Sequence, residues 1–249
     1  MSTSTQKDRL YKLLKEYKKR YLRKQYAELD ESATRLMVNN LLTDVFGYAE
    51  LEDIKTEYNI KGVYADYIIQ LQRKKYFIIE VKAVQLDLSS NHLRQALGYA
   101  ANEGIDWILL TNGRQIELYR VIFSKPIDCK KIFSFNLLDD KELKESVEYL
   151  IYLTKKAVLH NELNNFWKRF QALDATNLCK QLYSSDVIKY LRKTLKKTTG
   201  LIFTDDDILE SIHQIIIKAI PSAKPRSPLG GKLKEKSVKK PDNLDISLE

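Results

Sequence analysis

The sequence contains little cysteine, and its prolines are concentrated at one end. Only Cys129 and Cys179 occur among 249 residues, and they form no CxxC pair. Neither a disulfide framework nor a cysteine-rich zinc site is therefore supported. Four of the five prolines lie after residue 220, among lysines, serines and a Gly-Gly pair. This composition predicts a disordered basic tail over residues 221–249.

Long hydrophobic runs are also missing. No apolar run approaches the roughly 18 residues that a membrane span needs. The polar first five residues lack the hydrophobic stretch of a secretory signal. We therefore expect a cytoplasmic protein with no membrane partner. An apolar content of 44% with 10% aromatic residues predicts a folded chain. Its length suits one large domain or two small ones.

Positive charge is in excess, and it is unevenly distributed. The 42 Lys and Arg residues exceed the 33 Asp and Glu residues, which gives a net charge of +9. Residues 1–30 contribute nine basic and four acidic residues, and residues 221–249 contribute seven and four. The segment between them is almost neutral. An acidic partner is expected, either nucleic acid or, through the basic first helix, an anionic membrane. The two basic ends are candidate clamps on flanking DNA.

Hydrophobic periodicity predicts an α/β protein with helices at both ends. An Asn-Gly pair at 112–113 favours a hairpin between the last two strands. The predicted domains are a basic N-terminal helix (1–30), a core (31–135), a helical extension (136–220) and the tail (221–249). Helices are predicted over 10–26, from about 31, and over 91–102, 141–156, 160–172, 185–197 and 205–219. Strands are predicted over 54–60, 63–71, 76–84, 107–110 and 116–123.

Three charged residues in the strand block form the main candidate site. Glu80 and Lys82 are two apart on one strand and therefore project from the same face. If this strand and the preceding one form a hairpin, Asp66 lies beside Glu80. Burying such charges among apolar residues is costly without a compensating ligand. Mg²⁺ prefers oxygen ligands and commonly uses one or two carboxylates plus a substrate phosphate. We therefore predict that Asp66 and Glu80 bind Mg²⁺, with Mn²⁺ as the alternative, and that Lys82 orients water or stabilises phosphate charge.

These residues resemble the PD-(D/E)xK nucleases, and in particular the N-terminal nuclease domain of type I restriction enzyme R subunits. The resemblance covers roughly residues 28–123 and implies a restriction-endonuclease-like core with a mixed sheet in the order αβββαβ. Its motifs follow the family's order: Glu31-Ser32-Ala33-Thr34-Arg35, Gly47-Tyr48, Glu57-Tyr58, Asp66, Glu80-Val81-Lys82 and Gln95-Ala96-Leu97-Gly98-Tyr99. The function implied is metal-dependent DNA endonuclease activity in restriction-modification.

The resemblance also implies roles for three residues outside the hairpin. Gln95 and Tyr99 match the QxxxY element and would position the substrate strand, since residues four apart share a helix face. Glu31 occupies the position of a further metal-side carboxylate. As a first-turn acid it could instead only complement the helix dipole. His92, one turn before Gln95, is either a surface residue or a phosphate neighbour.

The sequence departs from the family in two respects. Ala65 replaces the proline that names the motif, a position that does not touch the metal. No GxxxxGK[ST] phosphate loop occurs, so no ATP-driven motor is expected in this chain and it resembles a stand-alone nuclease module. The sequence leaves open whether the chain forms a homodimer or binds a partner protein from a restriction system. It also leaves open a rival function, that of a catalytically inactive nuclease fold that binds nucleic acid or docks a partner.

Two charged clusters near the end have competing interpretations. A basic stripe on one face of the predicted helix 185–197 either contacts DNA phosphates or is a solvated surface. The three consecutive acids at 205–207 are better explained as a helix start after Thr204 than as a metal site. The basic stripe consists of Lys189, Arg192, Lys193, Lys196 and Lys197.

Overall fold

The computed structural model of the protein describes residues 4–60 and 63–219; for residues 57–60, 63–64 and 217–219 only the backbone is described. The predicted tail lies outside the described residues. The described helices are α1 (Ser4–Tyr21), α2 (Glu31–Asn40), α3 (Glu50–Asp53), α4 (Ser90–Glu103), α5 (Asp140–Leu150), α6 (Lys155–Leu159), α7 (Glu162–Ala172), α8 (Ala175–Leu182), α9 (Ser185–Thr199) and α10 (Asp205–Ala219). The strands are β1 (Ile54–Ile60), β2 (Val63–Leu71), β3 (Lys74–Val81), β4 (Trp107–Thr111), β5 (Gln115–Ile122) and β6 (Asp128–Asn136).

The chain divides into two compact units, and the first runs to Asn165. Its six strands form one mixed sheet in sequential order, in which only β3 and β4 are parallel. A parallel neighbour requires a crossover connection, and α4 lies in the segment that joins these two strands. The α/β prediction is confirmed, and the architecture is that expected of a restriction-endonuclease-like core with a helical C-terminal part.

The two faces of the sheet bury different helices. On one face, Ile68, Ile78 and Ile108 form a buried cluster with Leu93 and Ala96 of α4. On the other face, the alternate residues Ile69, Ile79 and Leu109 line a small cavity together with residues that follow α2 and α5. Both faces of the central strands are therefore covered, which explains why they form nearly continuous apolar runs.

The first helix belongs to the sheet-containing unit. Leu10, Leu14 and Tyr17 of α1 are buried, and the Tyr17 hydroxyl donates a hydrogen bond to the Gly113 carbonyl over 2.9 Å. Lys18 forms an ion pair with Asp140, with 2.8 Å between Nζ and Oδ1. Helix α1 is thus a structural part of the core.

Several boundaries differ from the predicted ones. The first unit extends to Asn165 and includes α5 and α6, beyond the predicted core boundary at 135. The predicted helix 141–156 is interrupted at Thr154, because its hydroxyl accepts a hydrogen bond from the Ala157 amide and caps α6. Strand β6 was not predicted. It lies at the sheet edge, and Phe133 is its only buried residue.

The second unit begins at Phe166 and is helical in its described part. Ile188 of α9 packs with Ile208 and Ile212 of α10 in a small apolar cluster. Thr204 and Asp207 cap α10 reciprocally: the Asp207 carboxylate accepts from the Thr204 amide at 2.7 Å, and the Asp207 amide donates to the Thr204 hydroxyl at 3.2 Å. This is the capping box expected for a helix start. None of the helices within residues 4–60 and 63–219 is long and apolar enough to cross a membrane.

Candidate active site

The β2–β3 hairpin brings the two central carboxylates together. Tyr67 pairs with Ile79 and Ile68 pairs with Ile78 in antiparallel register, so Asp66 and Glu80 occupy the next opposed positions. Opposed residues of an antiparallel pair project from the same face. The hairpin that the sequence predicted is therefore present, and it sets Asp66 beside Glu80.

Both carboxylates are buried in an apolar part of the sheet. The side chain of Glu80 is 1% exposed and that of Asp66 is 7% exposed. The pKa of Glu80 is raised to about 7. Burial is the main cause and the charge of Asp66 adds to it, whereas Lys82 opposes the shift. Burial likewise raises the pKa of Asp66, although the Val81 amide and the Arg35 guanidinium oppose the shift. Such shifts are typical of carboxylates held for binding or catalysis.

Lys82 sits at the end of β3, where its backbone and side chain are both fixed. Its amide donates to the Thr111 carbonyl over 2.9 Å, which ties it to β4. Its Nζ lies 2.8 Å from Oε1 of Glu80 and 3.3 Å from Oε2 of Glu31. Burial lowers the pKa of Lys82, but the hydrogen bond that it donates to Glu80 and the two carboxylate charges outweigh this effect, so the net shift is upward. Lys82 is therefore a fixed cation that donates hydrogen bonds to Glu80 and Glu31.

Glu31 is shared between two cations. One oxygen accepts from Lys82, and the other lies 3.0 Å from Nη2 of Arg35. The same Nη2 lies 2.6 Å from Oδ1 of Asp66. Within the described ranges 4–60 and 63–219, no three acidic, histidine or cysteine side chains are grouped so that they could hold a metal ion. The three carboxylates are instead organised around Lys82 and Arg35.

One carboxylate oxygen of the cluster lacks a partner. Oε2 of Glu80 is buried and makes no hydrogen bond, whereas Oε1 is held by Lys82. A buried, unpaired carboxylate oxygen costs free energy unless a ligand or a proton satisfies it. Because a divalent cation prefers such hard oxygens, the donor set of Glu80 and the adjacent Asp66 fits Mg²⁺ or Mn²⁺.

The loop after Lys82 is pinned from two sides. The Val84 amide donates to the buried hydroxyl of Thr34 at 3.0 Å, and the Val84 carbonyl accepts from Nε of Arg114 at 2.8 Å. Asn112 donates to the Leu86 carbonyl at 2.7 Å. These bonds fix the strand end that carries Glu80 and Lys82 against α2 and the β4–β5 turn.

That turn requires glycine at position 113. Gly113 has a φ of +80°, and a Cβ placed there would lie 1.9 Å from the Met37 methyl group. The neighbouring Asn112 side chain accepts hydrogen bonds from the amides of Arg114 and Gln115. The Asn-Gly signal therefore marks both the predicted hairpin and an anchor for the loop beside the site.

Gln95 and Tyr99 do share one face of α4. Nε2 of Gln95 donates to the Tyr99 hydroxyl over 2.9 Å. Tyr99 is buried among residues such as Ile68 and Ile78, on the hairpin face that also carries Asp66 and Glu80, whereas Gln95 is exposed. The pair thus spans from the core to the surface on the helix that covers the site.

His92 has a local structural role. Its Nδ1 accepts from the Ser89 amide at 3.3 Å, and the Ser89 side chain accepts in return from the His92 amide, which caps α4. Burial and the nearby Lys82 ammonium lower the pKa of His92, while Glu31 opposes the shift. The side chain of Glu57 lies outside the described residues.

The basic stripe lies in the second unit. All five of its residues are exposed on α9, and Arg192 forms an ion pair with Asp205 of α10. Ile188 of the same helix is buried. The structure therefore presents the stripe as a solvent-facing basic surface. Its members are Lys189, Arg192, Lys193, Lys196 and Lys197.

Arg35 is the member of the cluster to which the sequence assigned no role. It follows Glu31 by four residues, so the two were certain to share a helix face. Its contact with Asp66 depends on the packing of α2 against the hairpin, which no local pattern contains. The spacing of four residues between Glu31 and Arg35 was the one feature of the sequence that indicated a role for Arg35.

Comparison with known proteins agrees with this geometry. Residues 30–130 match the family model described as type I restriction enzyme R protein N terminus. No curated protein and no solved structure matches the chain. The matched segment begins at Asp30, the N-cap of α2, and ends within β6. It contains Glu31, Asp66, Glu80 and Lys82. Over residues 30–130 the chain therefore resembles the N-terminal domain of type I restriction enzyme R proteins.

Proposed function

We propose that this protein is a Mg²⁺-dependent DNA endonuclease that hydrolyses phosphodiester bonds. The observation that carries the proposal is the buried pair Asp66 and Glu80 beside Lys82, with one oxygen of Glu80 left unpaired. Mn²⁺ is the alternative cation. The family match supports a nuclease-related domain, and the cytoplasmic location stays an expectation.

Asp66 and Glu80 would hold the cation, whereas Glu31, which the resemblance suggests as a further carboxylate, would join them only by giving up its contact with Lys82. A bound Mg²⁺ supplies Lewis acidity toward the phosphate and makes water a better nucleophile near neutral pH. Lys82 holds its proton on Nζ, because its pKa is raised, and can orient water or neutralise charge that develops on the phosphate. The surrounding apolar strands exclude bulk water, which strengthens each of these interactions.

The remaining residues would position DNA. Gln95 is the exposed end of the Gln95–Tyr99 pair and is placed to meet the substrate backbone. The basic stripe on α9 and the exposed lysines of α1 would supply further phosphate contacts. A carboxylate site together with basic surfaces on the same chain suits a metal site that acts on a polyanion.

The test is cleavage of supercoiled plasmid, duplex and single-stranded DNA in Mg²⁺, Mn²⁺ or EDTA. Asp66→Ala, Glu80→Ala and Lys82→Ala should each abolish Mg²⁺-dependent nicking while the protein stays folded. Lys131→Gln is a matched control, because it removes a lysine of β6 paired with a mostly buried carboxylate, that of Glu117 on β5, and neither residue belongs to the carboxylate cluster. Nicking that survives Glu80→Ala would contradict the mechanism.

The same experiment separates the rival function. A nuclease fold without turnover would bind nucleic acid, or dock a partner, and show no metal-dependent cleavage of any substrate. The presence of all three side chains, Asp66, Glu80 and Lys82, argues for turnover. DNA binding without cleavage in either cation would favour the inactive module.

A further inference from the structure

The two oxygens of Asp66 have partners of different kinds. Oδ2 accepts a hydrogen bond from the Val81 amide at 2.7 Å, and that donor is fixed in the backbone of β3. Oδ1 lies 2.6 Å from Nη2 of Arg35, a side chain that is 32% exposed. The amide cannot leave without breaking the sheet. Arg35 is therefore the replaceable partner of Asp66.

From this contact we infer that Arg35 is a positioning residue that exchanges with the divalent cation. It neutralises Asp66 while the site is free of metal, and when a cation takes Oδ1 the guanidinium turns to a DNA phosphate. The inference rests on the proposed function, because it presupposes that Asp66 binds a cation. A guanidinium suits both positions, since it pairs with carboxylate and phosphate groups alike.

The charges of the cluster favour this exchange. When Glu31, Asp66 and Glu80 are all ionised, they carry three negative charges against the two positive charges of Arg35 and Lys82, so the cluster has a net charge of −1. A divalent cation reverses the sign to +1. The site then attracts a phosphodiester, whose charge it would otherwise repel.

Glu31 would keep Arg35 at the site after the exchange. Its Oε1 lies 3.0 Å from Nη2 of Arg35, and the two residues are one helical turn apart on α2. Nε of Arg35 is buried and makes no hydrogen bond, so one donor is already without a partner. Lys82 differs, because it is only 12% exposed and is held by both Glu80 and Glu31. Of the two cations Arg35 and Lys82, Arg35 is therefore the one that can move.

The first test measures metal binding to the free protein by isothermal titration with Mg²⁺ and with Mn²⁺. Arg35→Gln removes the competitor for Asp66, so its metal affinity should rise about tenfold, the equivalent of one charged hydrogen bond. Arg35→Lys keeps the charge and should stay within about threefold of the unmodified protein. Lys131→Gln should bind metal as the unmodified protein does. Unchanged or weaker metal binding by Arg35→Gln would overturn the inference.

The second test measures DNA affinity in EDTA and in Ca²⁺, a hard cation with the same preference for oxygen ligands. In EDTA Arg35 is held by Asp66, so Arg35→Gln should change DNA affinity little. In Ca²⁺ the variant should bind DNA about tenfold more weakly, as expected when one charged hydrogen bond to a phosphate is removed. An equal weakening in both conditions would show a permanent DNA contact and contradict the exchange.

The outcomes distinguish this inference from the proposed function. Tighter metal binding by Arg35→Gln together with no cleavage by the unmodified protein would support the exchange and refute the nuclease activity. Cleavage by the unmodified protein with unchanged metal affinity in Arg35→Gln would support the nuclease activity and refute the exchange. If neither protein binds a divalent cation, the exchange is refuted. In a Trp167→Phe background, Trp107 fluorescence checks that each variant keeps the buried core around β4.

Discussion

Replacing Glu80 by Gln should change how the stability of the first unit depends on pH. The carboxyl of Glu80 is 1% exposed, and its pKa is raised from 4.5 to about 7, chiefly by burial. Because the folded state holds this proton more tightly, the contribution of Glu80 to stability is greatest below pH 4.5. It is lost as the pH rises through about 7.

The size of the effect follows from the shift. Each pKa unit corresponds to about 1.4 kcal/mol, so a rise from 4.5 to about 7 corresponds to about 3 kcal/mol. Glutamine keeps the shape of the side chain but cannot ionise. Between pH 4.5 and about pH 8, the protein with Glu80 should therefore lose about 3 kcal/mol of unfolding free energy relative to Glu80→Gln.

The assay must report on the first unit alone. The chain has two tryptophans, and Trp107 lies in the first unit whereas Trp167 lies in the second. In a Trp167→Phe background, Trp107 fluorescence during urea unfolding in EDTA reports on the sheet. The pH dependence of Glu80→Gln is compared with that of the background protein. Parallel curves would refute a buried, ionisable Glu80 with a raised pKa.

Three further predictions concern the helices around the site. Tyr99→Phe removes the hydrogen bond to Gln95 and should lower nicking while unfolding free energy falls by no more than about 1.5 kcal/mol; unchanged nicking would exclude the pair from DNA positioning. Thr34→Val leaves the Val84 amide without its buried acceptor and should cost about 1–3 kcal/mol in urea unfolding; a neutral result would mean that the loop is not pinned there. Changing Lys193, Lys196 and Lys197 to Gln should weaken DNA binding and make its dependence on salt shallower, in proportion to the number of phosphates that these lysines neutralise; an unchanged slope would make the stripe a solvated surface.

Much of the site follows from short periodicities. Strand alternation places Glu80 and Lys82 on one face, and the hairpin register brings Asp66 beside them. Helical spacing places Gln95 against Tyr99. These relations depend on backbone geometry within an element or between adjacent elements, which the order of residues determines.

Features that depend on packing or on local competition could not be obtained in this way. Arg35 reaches Asp66 only because α2 packs beside the hairpin. Strand β6 has one buried residue, Phe133, so its alternation is weak. The interruption at Thr154 reflects a side-chain hydroxyl that competes with the backbone for helical amides. Hydrophobic periodicity contains none of this information.

Metal-dependent nicking of supercoiled plasmid tests the central claim most directly. The unmodified protein and Lys82→Ala are incubated with plasmid in Mg²⁺ and in EDTA, after tryptophan fluorescence has shown that both are folded. We expect nicked product only from the unmodified protein, and only with Mg²⁺. Equal nicking by Lys82→Ala, or nicking in EDTA, would contradict a site built from Asp66, Glu80 and Lys82.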